Sequence, residues 1–168
     1  MTGSTVRARA GLKTAPKLAP SSDGTPTVIV GRDGRAKAYR PIPAEERSAA
    51  ITEGLAAYER GDFFRAHEDL EPAWMGTRDL AERAVLQGLI KLAAAYVHAV
   101  RGNPAGTERN LVGARRRLVE PGASDAAVGL DRLDVARLIE DIDLRLAELA
   151  ARPMRPRLAP PVLRRSSP

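Results

Sequence analysis

The sequence predicts an all-α fold, a compact bundle of about five helices built from two helix hairpins, with disordered basic tails. Three observations predict it. Apolar residues recur three and four apart, the period of a half-buried helix. Gly, Pro, Asp and Asn punctuate the stretch 41–151 where one helix stops and the next begins. The charge is segregated: residues 1–40 carry eight Lys/Arg against Asp23 and Asp33, and residues 152–168 carry five Arg and no acid. The intervening stretch is net acidic, so the formal charge of +6 belongs to the tails. The chain divides into a basic tail over 1–40, a helical domain over 41–151 and a Pro/Arg-rich tail over 152–168.

Residues 1–26 are poor in large apolar side chains and hold Pro16, Pro20 and Pro26, a composition that predicts disorder. Thr27 to Val30 is β-branched, and Gly31-Arg-Asp-Gly34 is a turn signal, so 27–39 reads as a weak hairpin that needs something to lean on. The first helix is expected over about 44–60, with Pro43 near its first turn and Gly61 as its stop. The second spans about 63–75, capped by Asp62, with Pro72 expected to kink it or end it early. The third spans about 78–101 with Thr77 as its cap; it is apolar nearly all round, which marks it as the central helix. The fourth spans about 104–119, capped by Asn103 with Pro104 at its first position, and Pro121-Gly122 ends it. The fifth spans about 132–150, with Asp131 or Asp134 as its cap. Arg60-Gly61-Asp62 and Arg101-Gly102-Asn103 echo one another forty-one residues apart, as two stacked helix hairpins would require.

With no cysteine, disulfides, thiolate metal sites and thiol nucleophiles are excluded, and the absence fits a reducing, cytoplasmic setting. No secretory signal is visible. The most apolar stretch, 84–100, is interrupted by Gln87, Lys91 and His98, so no membrane span is expected.

The chemistry concentrates on the two central helices. At about 100° per residue, His67, Glu71 and Trp74 share one face of the second helix, with Glu68 on its flank. Arg83, Gln87, Lys91, His98 and Arg101 form a polar stripe on the third. That stripe is either the solvent-facing side, which suits Arg83 and Lys91, or the wall of a pocket shared with the second helix. A buried polar stripe needs polar partners, and His67, Glu68 and Glu71 supply them. A shared cluster of His67, Glu71, Gln87 and His98, sealed by Trp74, follows as an expectation. His67, Glu71 and His98 are candidate metal ligands, since zinc accepts imidazole and carboxylate. However, Glu71 stands where the zinc-protease motif needs a second histidine. A His–Glu pair can also tune an imidazole for proton transfer. Phosphate-loop and dinucleotide fingerprints are missing, and no cofactor is expected. The turn at Arg101 to Asn103 leads into a helix N-terminus, a place that can hold an anion.

Gly61-Asp-Phe-Phe-Arg-Ala-His-Glu-Asp-Leu-Glu71 followed by Trp74, Gln87-Gly-Leu-Ile-Lys-Leu-Ala93 followed by His98, and Arg101-Gly-Asn-Pro-Ala-Gly106 together resemble the signature of the domain of unknown function 309 family. The resemblance covers roughly residues 45–120. It implies a small α-helical domain with no established activity. It points to His67, Glu68, Glu71, Trp74, Gln87, His98, Arg101, Gly102 and Asn103 as motif residues. Lys91 departs from the glutamine often found there in the family.

The leading expectation is a non-catalytic module that binds a small-molecule ligand or a protein partner. The rivals are a hydrolase-type enzyme with a His/Glu site, with or without metal, and a nucleic-acid-associated protein working through its Arg-rich tails. Binding through tails is electrostatic and weakens steeply with salt.

Overall fold

The computed structural model describes residues 28–30, 34–152 and 158–166. The sequence expectation for residues 1–26 lies outside the described residues. A two-stranded antiparallel hairpin, β1 (Val28–Val30) and β2 (Ala36–Ala38), precedes six α-helices. These are α1 (Ala44–Glu59), α2 (Phe63–Gly76), α3 (Leu80–Val100), α4 (Pro104–Leu118), α5 (Ala123–Ala126) and α6 (Val135–Ala151). A short 3-10 turn, Ala127–Gly129, follows α5. α1 pairs with α2 and α3 with α4, α2 packs on α3, and α6 closes against α4.

The two interhelical turns are built alike. Gly61 and Gly102 adopt φ of +82° and +67°, the left-handed conformation that a side chain resists. Each glycine amide donates to a carbonyl three residues back, Tyr58 and Ala99. The next amides, of Asp62 and Asn103, reach back to Ala57 and His98. The Asp62 side chain then accepts from the Arg65 amide, and that of Asn103 from the Gly106 amide, satisfying an orphan donor of the new helix. The sequence echo is thus an echo of geometry. It extends to the core: Ala66, Leu70 and Ala73 of α2 are buried, and so are Thr107, Leu111 and Ala114, each forty-one residues later on α4.

One cap assignment is corrected, and a choice between two is decided. α3 begins at Leu80 with Asp79 as its cap, accepting from the amides of Ala81 and Glu82, in place of the Thr77 cap that the sequence predicts. Thr77 is buried instead, and its hydroxyl donates to Glu82. Of the two acids before α6, Asp134 is the cap, and Asp131 sits at φ +57°. Pro72 does not end α2 early; the helix runs on to Gly76. Pro72 and Glu68 are both exposed, so the carbonyl that proline leaves without a helical partner lies on the solvent side. α5 and its 3-10 turn have no sequence expectation behind them, because four residues are too few to show a period.

The N-terminal hairpin leans on the C-terminal end of α2. The Arg40 amide donates to the Met75 carbonyl, Arg83 reaches the Ala38 carbonyl at 3.0 Å, and Arg78 stacks on the Tyr39 ring. Residues 158–166, read from sequence as part of a tail, lie against the bundle. Pro161 and Leu163 are buried, and Leu158 packs on the core. The Tyr96 hydroxyl donates to the Ala159 carbonyl at 2.8 Å, and that of Tyr58 to the Pro161 carbonyl at 3.1 Å. Arg165 pairs with Asp131 and Glu59, and its backbone bridges to Leu133. Prolines forbid a helix, but they do not forbid an extended strap that buries its apolar residues.

Among the described residues, no helix is long and apolar enough to cross a membrane.

Candidate ligand pocket

α2 is anchored by Ala66, Leu70 and Ala73, all buried. That fixes the neighbouring face, where His67, Glu71 and Trp74 stand one turn apart, and presents it across α3. From α3, the residues on the facing side are Gln87, Ile90, Lys91 and Ala94, and from α4 comes Asn110. These side chains line a half-open pocket of about 140 Å³ where three helices meet.

The pocket is polar and under-used. The side chains of Glu71, Trp74, Gln87 and Lys91 are half-buried and have no hydrogen bond or ion pair to another described residue. Asn110 spends its amide on the Gly106 carbonyl at 2.9 Å, which leaves its side-chain oxygen available. Burial pushes the Lys91 ammonium below its ordinary pKa, and the nearby Arg116 and Arg117 push the same way. Half-buried polar groups ordinarily find partners in the fold or in water. Here several of them point into one shared volume.

Two neighbours hold this wall in place. Arg83 is buried, stacks on the Trp74 ring at 4.6 Å, and donates to the carbonyls of Trp74, Thr77 and Ala38. The solvent-facing reading of Arg83 is therefore corrected. It is a cation closing the carbonyl end of α2, a position the helix dipole favours. Gly113 of α4 makes room for the Lys91 stem, because a Cβ there would come within 3.0 Å of Lys91 Cδ.

The expected cluster is brought together only in part. His67, Glu71, Trp74, Gln87 and Lys91 line the pocket; Glu68, His98, Arg101 and Asn103 do not. His98 lies two helical turns past Lys91, about 10 Å along the axis at 1.5 Å per residue. Its angular phase fits the cluster, but its height does not. Its Nδ1 lies 3.2 Å from the Asn103 amide nitrogen, and its ring packs where a Gly106 Cβ would stand. His98 and Asn103 thus belong to the α3–α4 turn, and Arg101 is exposed beside them. The metal set is redrawn for the same reason. One ligand atom each from His67, Glu68 and Glu71 falls within 4.8 Å of the others, with Glu68 exposed and His67 Nδ1 3.2 Å from its carboxylate.

Asn110 also lines the pocket and is not among the residues the sequence reading singles out. Its signal is a stripe on α4, Asn103, Gly106, Asn110 and Gly113, spaced three, four and three apart. Its small and amide side chains let α4 lie close against the polar stripe of α3.

The fold and pocket define a class: a small α-helical domain of two like hairpins with a polar pocket between them. The family model described as Domain of unknown function (DUF309) matches residues 51–110, and that segment is similar to the family. The match takes in every residue that lines the pocket. No curated protein and no solved structure matches the chain.

Proposed function

We propose that this chain is a non-catalytic binding module of the cytoplasm, and that the pocket between α2, α3 and α4 takes a small polar ligand. The observation that carries this reading is the unspent hydrogen-bonding capacity of Glu71, Trp74, Gln87 and Lys91 around one cavity. A few convergent polar groups in a concave site are what orient a small molecule. Native mass spectrometry of the untagged chain, purified without additives, tests it. A stoichiometric small molecule is expected, lost in the Glu71→Gln, Gln87→Leu double variant while that variant stays folded. A ligand retained by the double variant would sink the reading.

A second reading is a hydrolase-type metal site, favoured by the ligand atoms of His67, Glu68 and Glu71 lying within 4.8 Å of one another. Imidazole and carboxylate suit zinc, with positions left for water and substrate. Elemental analysis of the same sample separates the two. One bound metal per chain, lost with His67→Ala, would replace the non-catalytic reading.

A further inference from the structure

Lys91 is the shared wall of two concavities. On its α4 side lies a second groove, about 390 Å³, lined by Lys91, Glu108, Arg109, Val112, Gly113 and Arg116 among others. α4 carries four arginines, and they are not equivalent. Arg115 is held by both oxygens of Asp143, at 2.5 and 3.0 Å, and Arg117 by Glu120 at 2.6 Å. Arg109, Arg116 and Lys91, the three that line the groove, have no acidic partner among the described residues. The groove therefore gathers three uncompensated cations against one carboxylate, Glu108. Gly113 gives the lysine stem its room: a Cβ there would stand 3.0 Å from its Cδ, a tight contact. A cation drawn out of water beside two others costs free energy unless a counter-charge arrives.

We propose that this groove on the α3–α4 face is an anion site, and that Lys91, Arg109 and Arg116 hold the phosphate group of a small phosphorylated molecule. Guanidinium forks and an ammonium suit phosphate oxygens in number and geometry. Glu108, at the rim, is placed to accept from a hydroxyl of the same molecule. A nucleic-acid strand fits less well. It needs cations spaced along its backbone, and here the flanking Arg115 and Arg117 are already committed to acids of the chain. The groove stands on its own residues and does not require the pocket beyond Lys91 to be filled.

The test is calorimetric titration of the full chain with inorganic pyrophosphate at low ionic strength. One saturable site is expected. Arg116→Ala and Arg109→Ala should each weaken it by about tenfold, the scale of a lost charge-assisted contact. Arg137→Ala, which removes the same charge from the exposed face of α6, should leave it within about twofold, the level of screened surface charge. Gln87→Leu should not change it, which separates this groove from the pocket. Absence of saturation, or equal losses in the Arg116 and Arg137 variants, would overturn the proposal. So would tighter binding of a single-stranded RNA oligomer than of pyrophosphate at physiological salt, since that would make the patch a strand-binding surface.

Discussion

The hairpins α1–α2 and α3–α4 share a frame and differ in what they display. Forty-one residues apart, they place Gly61 and Gly102 in the same left-handed turn, and Asp62 and Asn103 in the same cap. Leu70 and Leu111 occupy the same buried position. Where α2 shows His67, Glu68 and Glu71, α4 shows Glu108, Arg109 and Val112. The equivalent positions are those that bury or turn the chain. Of the divergent ones, His67 and Glu71 line the pocket with Glu68 exposed beside them, while Glu108, Arg109 and Val112 line the basic groove. Burial and backbone geometry thus set one requirement twice, while each outward face is free to carry its own chemistry.

The equivalence is broken most severely at the core. Leu70→Ala and Leu111→Ala remove fully buried side chains, and each is expected to cost about 2–5 kcal/mol. The two values should agree within about 1 kcal/mol, read by urea denaturation, if the hairpins are packed alike. A large inequality would mean that one hairpin is the stable unit and the other docks on it. Next come the turns. A Cβ at Gly61 or Gly102 would meet nothing within 4 Å, so alanine there pays only for the left-handed conformation. About 1–2 kcal/mol at each position is expected. No loss at either site would show that its turn relaxes to another conformation.

Each hairpin also gives one tyrosine to the strap of residues 158–166, which adds a pH test. Burial raises the pKa of both Tyr58 and Tyr96, because the folded chain keeps the phenols neutral. Unfolded tyrosine ionises near pH 10. Above about that pH the unfolded chain sheds protons that the folded chain retains. The stabilisation is therefore complete below pH 10 and is lost progressively as pH rises beyond it. Tyr96→Phe should cost about 1 kcal/mol at neutral pH, the worth of its bond to the Ala159 carbonyl. It should also flatten the alkaline decline. Urea midpoints at pH 8 and pH 11 check both, and an unchanged decline would mean that the strap opens before the tyrosine ionises.

The frame was legible in the sequence because turns and caps are local. Gly61, Asp62, Gly102, Asn103 and Pro104 each act within a few residues, and all were read correctly. Thr77 misled because two capping residues, Thr77 and Asp79, lie within one turn; the choice between them rests on Glu82, which takes the threonine hydroxyl. The strap was illegible for a different reason. Its apolar contacts have no period, and its partners Tyr58 and Tyr96 lie 103 and 63 residues away. The pocket was half legible. Helical phase placed His67, Glu71, Trp74, Gln87 and Lys91 on facing sides, but phase carries no height along the axis. That missing coordinate admits His98, while Asn110 is left out because it lies on α4, outside the two helices whose phases are compared.

The smallest expected effect is the sharpest test of the pocket. Asn103 and Gln87 are both polar motif residues on or beside α3, but only Asn103 bonds to the backbone, accepting from the Gly106 amide at 2.9 Å. Asn103→Ala should cost about 1 kcal/mol, as lost helix caps do. Gln87→Leu should cost less than about 0.5 kcal/mol, because no partner among the described residues is left unpaired and the half-buried site gains apolar contact. Denaturation of the two variants side by side reads the difference directly. A Gln87 cost as large as the cap's would make that amide part of the fold's own hydrogen bonding, and the capacity assigned to a ligand would already be spent.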